Sequence, residues 1–289
     1  MLAVVCALLS ALLYALASVL QQRGAAAQPE ETALRIGLLT RLLRNPIWVL
    51  GFGCDIGGYV FQFIALGNGP LVVVQPLLVL GLLFALPIGA AWSGRRLGRW
   101  DWVAAMMVCA GLAAFLTVAQ PSKGRPDAGG VEWVLLVVST GGLSFLMVAA
   151  SLGRPAWQRA ALLSSSAGVV YGLAAGLTKT SSHLLSGGVL HLLGHWPPYA
   201  LAAAGVGGML VAQSAFQAGS LEASLPPMSV IDPVVSILIG VFVFGETISA
   251  SGPAIALEVV ALAAMTVGVF VLARSEAGRT VHESRSRPT

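Results

Sequence analysis

Two aspartates lie inside long apolar stretches of this 289-residue chain. Asp55 lies about nine residues into one stretch, close to mid-membrane depth by the rise of a helix, and belongs to the glycine-rich segment 51–58. A charged side chain at the centre of a bilayer costs about 2.5 to 3.5 kcal/mol on insertion scales, so it requires a partner or a function. We therefore predict that Asp55 contacts a substrate. The alternative is a structural hydrogen bond to a neighbouring serine or amide.

The second aspartate, Asp232, and a glutamine, Gln75, each lie in a segment that begins and ends with proline. Asp232 lies in the segment 227–233 and Gln75 in the segment 70–76. Proline lacks a backbone N–H, so carbonyl groups on the preceding turn are free to face a cavity or a cation. Interrupted membrane helices at corresponding points of two halves are typical of a central binding site. We predict that both residues contact a substrate, with proline kinks that only shape helix packing as the alternative.

Further polar residues complete the candidate set. Tyr14, Tyr171 and Gln62 are predicted to contact a substrate through their hydroxyl and amide groups. Glu258 and Lys179 are candidates for coupling to a proton or cation. A structural hydrogen bond by Glu258, and extension of the Lys179 side chain to the membrane interface, explain the same positions equally well.

The sequence contains no pattern of a known catalytic site. It has no phosphate-binding loop, nucleophile elbow or HExxH motif, so we predict neither an enzyme nor a cofactor. His191 and His195 are spaced four residues apart but lack an adjacent acidic or thiolate ligand, which leaves the metal ligands unassigned. Basic residues do not alternate with aromatic ones along any stripe, so nucleic acid is not an expected partner.

The composition is that of a membrane protein. Hydrophobic residues make up 57% of the chain, charged residues make up 10%, and the mean hydropathy is +0.86. Soluble domains are about 45–50% apolar. Each apolar stretch is close to the roughly 20 residues that cross a bilayer as a helix. We predict an all-α polytopic membrane protein with nine transmembrane helices, at residues 2–20, 47–66, 71–92, 102–118, 131–150, 160–177, 199–215, 228–244 and 253–273.

The loops that join these nine stretches differ strongly in basic charge. When loops are assigned alternately to the two sides of the membrane, thirteen of the 16 Lys and Arg residues fall on one side. Basic loops remain cytoplasmic, which predicts an external N-terminus and a cytoplasmic C-terminus. The expected location is a bacterial plasma membrane, with the lipid bilayer as a partner and a homodimer as a further possibility.

One constant offset of 157 residues aligns the two halves of the chain without a gap. Tyr14 falls on Tyr171, both proline-flanked segments coincide, and Asp101 falls on Glu258. Because the two copies begin five crossings apart, they enter the membrane from opposite sides. Inverted repeats of this kind are typical of alternating-access transporters.

The pattern resembles the drug/metabolite transporter (DMT) superfamily. The segment 219–246, with its Asp-Pro pair and terminal Phe-Gly-Glu, is similar to the EamA-type repeat, although Gly89 occupies the first-half position equivalent to Glu246. Nine spans with an external N-terminus are similar to the NIPA-like magnesium transporter branch. The resemblance implies two four-helix repeats that move around a central substrate site.

The predicted chain consists of two repeats joined by a segment that contains the fifth span. Residues 1–120 form the first repeat, with an interfacial segment at 31–45, and residues 121–157 contain the fifth span. Residues 158–273 form the second repeat, and residues 274–289 form a disordered cytoplasmic tail. The predicted function is secondary transport of a small polar solute or metabolite. The alternatives are Mg²⁺ transport and, in another class, a non-transporting membrane scaffold or lipid-binding subunit.

Overall fold

A computed structural model describes residues 2–68, 77–78, 80–94, 97–118, 128–185, 187–245, 256–261 and 263–272. This part of the chain is helical and contains no strand. Gln75, the prolines that flank it, and the tail 274–289 lie outside the described residues. The helices are α1 (Leu2–Ala26), α2 (Ile36–Leu42), α3 (Pro46–Asn68), α4 (Gly81–Trp92), α5 (Arg99–Val118), α6 (Gly130–Ser151), α7 (Ala156–Leu185), α8 (Val189–Leu193), α9 (Pro197–Ala218), α10 (Leu221–Phe242) and α11 (Ala256–Leu272).

Five helices, α1, α6, α7, α9 and α10, are long and apolar enough to cross a membrane. Helix α1 has 25 residues, which extend about 37 Å at 1.5 Å per residue and exceed a hydrocarbon core of roughly 30 Å. Large apolar side chains of α6, including Val134, Val138 and Phe145, are exposed on the protein surface. Such a surface is suited to lipid rather than water. The protein is therefore an integral membrane protein.

Helices α1 and α3 pack closely because glycines of α3 face α1. A Cβ atom added at Gly51 would lie 3.1 Å from the Ala17 carbonyl oxygen, and one at Gly58 would lie 2.9 Å from the Tyr14 ring. The Ser10 hydroxyl donates a hydrogen bond to the Gly58 carbonyl oxygen at 2.7 Å. Small residues of this kind let membrane helices approach closely. The close approach also brings polar side chains of the two helices into contact.

Helix α7 is the central helix of the second half and contacts α6, α9 and α10. A Cβ atom at Gly172 would lie 2.6 Å from Val235 Cγ1 on α10. One at Gly208, on α9, would lie 2.7 Å from the Tyr171 ring. Tyr171 thus packs on a glycine of α9 as Tyr14 packs on a glycine of α3.

Helices α5 and α11 approach each other at two glycines. A Cβ atom at Gly111 would lie 2.9 Å from the Ala261 carbonyl oxygen, and one at Gly268 would lie 2.7 Å from the Ala104 carbonyl oxygen. In the sequence, Gly111 and Gly268 are 157 residues apart, and so are Ala104 and Ala261. The 157-residue offset therefore relates the Gly111–Ala261 contact to the Gly268–Ala104 contact, as a local two-fold axis between α5 and α11 would.

Helix α2 lies within the segment 31–45 that the sequence marks as amphipathic. Leu38 and Leu42 are fully buried, whereas the arginines of this segment are exposed. The chain before α2 is attached to α9, where Gln217 Nε2 donates a hydrogen bond to the Pro29 carbonyl oxygen at 2.6 Å.

Candidate functional site

Four polar side chains from three helices form a continuous hydrogen-bonded chain that ends on Asp55. Trp48 Nε1 on α3 donates to Gln213 Oε1 on α9 at 2.9 Å. Gln213 Nε2 donates to Gln21 Oε1 on α1 at 2.7 Å, and Gln21 Nε2 donates to Asp55 Oδ2 at 2.5 Å. Every amide in the chain accepts at its oxygen and donates at its nitrogen. All three hydrogen bonds therefore run in the same direction, and the Asp55 carboxylate is the last acceptor.

Helical spacing explains how these residues meet. On α3, Trp48, Asp55 and Gln62 are seven residues apart, which places them on one face after every two turns. On α1, Tyr14 and Gln21 have the same seven-residue spacing. The glycines between the α3 residues bring that face against α1, so the two polar stripes lie opposite each other.

A cavity of about 350 Å³ opens beside the end of this hydrogen-bonded chain. The residues that line it come from α1, α3, α7, α9 and α10. They are Ser18, Gln21, Asp55, Tyr171, Gly205, Met209, Ala212, Gln213, Phe216 and Met228. Asp55 Oδ1 has no hydrogen bond to any of the described residues. The cavity thus combines one carboxylate, two amides and a tyrosine with the flexible apolar side chains of two methionines.

The Tyr14 hydroxyl donates to Gln62 Oε1 at 2.7 Å, so these two predicted site residues contact each other directly. The Tyr14 hydroxyl also lies within electrostatic range of Asp55. Neither Tyr14 nor Gln62 lines the cavity. In this structure, the pair supports the polar stripe behind Asp55.

Asp232 lies on α10 and does not line the cavity. The Ser236 hydroxyl, one turn further along α10, donates to Asp232 Oδ1 at 3.3 Å. The Tyr171 hydroxyl lies within electrostatic range of both Asp55 and Asp232. Tyr171 is therefore the group that relates the two predicted aspartates, one from each half of the chain.

The remaining predicted residues lie elsewhere. Lys179 Nζ lies 4.4 Å from the centre of the Phe244 ring, a cation–π contact away from the cavity lining. Glu258 lies on α11, and its Oε1 atom is buried with no hydrogen-bond partner among the described residues. Gln75, the repeat counterpart of Asp232, lies outside the described residues.

Three contributors to the site, Gln21, Trp48 and Gln213, are absent from the sequence-based set of binding residues. The seven-residue spacing of Gln21 from Tyr14, and of Trp48 from Asp55, is the signal that would have included two of them. Gln213 has no such signal in the sequence, since its partner Gln21 is 192 residues away.

These helices and this cavity define an all-helical integral membrane protein with a cavity between its helices that a carboxylate and two amides line in part. The chain is 34% identical over 250 residues to the uncharacterized protein Cgl0250/cg0304 of Corynebacterium glutamicum, and the match covers 85% of this chain and 86% of that protein. It belongs to the same family as that protein. No family model matches the chain, and no solved structure matches it.

Proposed function

We propose that the protein is a secondary transporter that moves a small polar solute across the membrane by alternating access. The observation that carries this proposal is the central cavity, which is lined by α1 and α3 from the first half and by α7, α9 and α10 from the second. Its volume of about 350 Å³ is at the lower end of the 300–1,000 Å³ range of small-molecule sites. A site between two structurally related halves is the arrangement that alternating access requires.

The packing of the helices supports an inverted repeat of the DMT type. Gly111 and Gly268 make reciprocal contacts that the 157-residue offset exchanges. Tyr14 and Tyr171, related by the same offset, each pack on a glycine of another helix. Each of the nine apolar stretches contains a described helix. Nine spans with a cytoplasmic C-terminus are therefore part of the proposal.

The cavity lining favours a polar organic solute of small size. Asp55 supplies a carboxylate oxygen for an ammonium or hydroxyl group of the solute, and Gln21 and Gln213 orient that carboxylate. Met209, Phe216 and Met228 supply apolar surface for the rest of the molecule. Methionine side chains adapt to ligands of different shape. A proton or cation bound at the carboxylate would provide the coupling.

Mg²⁺ transport is the alternative that one further observation favours. The Tyr171 hydroxyl lies within electrostatic range of both Asp55 and Asp232, of which Asp55 lines the cavity. Mg²⁺ keeps several of its waters and is commonly held by one or two carboxylates, so a hydrated ion is compatible with such a pair. Mg²⁺ transport would require both Asp55 and Asp232, whereas transport of an organic solute would depend mainly on Asp55.

The test is a flux assay on the purified full-length protein in proteoliposomes. A panel of radiolabelled amines, amino acids and sugar derivatives is assayed with an imposed proton or sodium gradient, and Mg²⁺ is assayed with a trapped fluorescent indicator. We expect saturable uptake of at least one organic solute above protein-free liposomes. Saturable Mg²⁺ flux without organic flux would establish the alternative.

The same assay separates transport from a scaffold or lipid-binding role. A scaffold predicts that no member of the panel crosses faster than in protein-free liposomes, although the protein is folded and correctly inserted. Insertion is checked by protease protection of a tag at the cytoplasmic C-terminus. Absence of flux across the whole panel in correctly inserted protein would contradict the proposal.

A further inference from the structure

A second polar cavity, of about 280 Å³, lies beyond the central one, where α9 ends and α10 begins. Its polar lining comes from the end of α1, the end of α4 and the α9–α10 junction. These polar residues are Gln22, Ser93, Gln217, Ser220 and Glu222. It shares no lining residue with the central cavity.

Glu222 is the feature of this cavity that requires an explanation. Its side chain is only 4% exposed, yet it forms no hydrogen bond or ion pair with any of the described residues. A buried carboxylate without a partner is strongly unfavourable, so such groups are normally paired or bind a cation. The start of α10 stabilises the negative charge in part, because helix N-termini carry positive partial charge.

The polar lining of the cavity includes two oxygen acceptors beside the hydroxyl groups of Ser93 and Ser220. The Glu222 carboxylate contributes its oxygens to the lining of the cavity. Gln217 Nε2 donates hydrogen bonds to the loop before α2. Gln217 Oε1 is buried and accepts no hydrogen bond in the described part of the chain. Gln22 Nε2 is also engaged, since it donates to the Gly219 carbonyl oxygen at 3.1 Å. A ligand that carries positive charge matches these oxygens and balances the charge of the carboxylate.

The basic residue next to Gln22 is directed elsewhere. The Arg23 guanidinium donates to the Trp92 carbonyl oxygen at 3.3 Å and lies 5.4 Å from the centre of the Trp92 ring. It forms no ion pair with Glu222. Arg23 therefore does not occupy the cavity side of Glu222, which leaves that carboxylate accessible to a ligand.

We propose that this cavity is a cation-binding site, in which the Glu222 carboxylate and neighbouring oxygens such as that of Gln217 hold a hard metal cation of the alkali or alkaline-earth class. Oxygen ligands without nitrogen or sulfur select such cations. At about 30 Å³ per water, the cavity has room for roughly nine waters, so the ion enters with much of its hydration shell. The site is independent of the proposed transport of a solute through the central cavity.

The test uses thermal unfolding of the purified full-length protein in detergent, with the Asp55→Asn substitution present to remove the central carboxylate. NaCl or MgCl₂ replaces choline chloride at constant ionic strength. A ligand that binds only the folded state raises its stability, so we expect at least one metal cation to raise Tm by about 2–4 °C. We expect the added Glu222→Gln substitution to abolish the rise.

Glu132→Gln on the same background is the matched control, because it removes a carboxylate from the start of α6, outside this cavity, and we expect it to keep the rise. A rise that persists in Glu222→Gln would overturn the proposal, and so would the absence of any rise above choline. If Glu222→Gln does not fold, Glu222→Asp is measured. We expect about a tenfold shift in the midpoint cation concentration, and an unchanged midpoint would contradict the assignment.

Discussion

Replacing Asp55 with asparagine is expected to reduce solute flux by about 10- to 100-fold. Asparagine has the same size, and its oxygen can still accept the hydrogen bond from Gln21, so the hydrogen-bonded chain through Gln213 persists. The variant loses the charge that binds a cationic group of the solute or a coupling ion. Hydrogen bonds to charged groups contribute about 1.5 to 3 kcal/mol, which corresponds to that range of rates at about 1.4 kcal/mol per factor of ten. Initial rates in proteoliposomes measure the effect.

Glu132→Gln is the matched control for charge removal, because Glu132 lies at the start of α6, where it accepts a hydrogen bond from the Gly129 N–H. We expect its flux to stay within about twofold of the wild type, since the glutamine oxygen still accepts that hydrogen bond and surface substitutions usually have small effects. Equal flux in Asp55→Asn and the wild type, at equal amounts of folded protein, would show that Asp55 has only a structural role.

The reciprocal contact between α5 and α11 leads to the second prediction. Alanine at Gly111 or at Gly268 would place a Cβ atom within 3.0 Å of a backbone carbonyl oxygen on the facing helix. A backbone atom cannot move aside as a flexible side chain can, so the helices must separate. Overpacking of this kind costs typically about 1 to 3 kcal/mol. We expect similar losses of unfolding free energy for both variants, because each glycine faces a backbone carbonyl oxygen of the other helix at a similar distance.

Gly141→Ala on α6 is the control, because a Cβ atom there would meet nothing within 4 Å, and alanine favours a helix over glycine by about 0.8 to 1 kcal/mol. Urea or SDS unfolding in mixed micelles measures all three variants. The double variant at Gly111 and Gly268 should lose less than the sum of the two single losses, since one separation relieves both contacts. Wild-type stability in either single variant would contradict the predicted packing.

The sequence predicted an all-helical membrane protein correctly, because apolar runs of membrane-spanning length favour helices, and five of the described helices are long and apolar enough to cross a membrane. The sequence-based prediction fails at the ends of helices and does not give the contacts between helices. The first apolar stretch stops at Leu20, but α1 continues to Ala26, where Gln21 bonds to Asp55 on α3 and Gln22 bonds to Gly219 at the α9–α10 junction. Hydropathy reports the cost of placing a group in lipid and contains no information about such partners.

Asp55 could be identified from the sequence as a candidate site residue, because a single carboxylate in an apolar run is exceptional whatever surrounds it. Glu222 could not, because an acidic residue in the first turn of a helix is explained by the helix dipole alone. Only the tertiary structure shows that this side chain is buried beside a cavity. Gly111 and Gly268 are 157 residues apart in the sequence, and only the structure shows that they make reciprocal contacts.

The most direct test of the account is the accessibility of the central cavity from the two sides of the membrane. Cys6, Cys54 and Cys109 are replaced by alanine, and Ser18 on the cavity wall is replaced by cysteine. A membrane-impermeant thiol reagent is added to right-side-out and to inverted vesicles, with Ser139→Cys on α6 as the control outside the cavity. We predict that Ser18→Cys reacts from both sides and that a transported solute slows both reactions. Reaction from one side alone, or from neither, would contradict alternating access around this cavity.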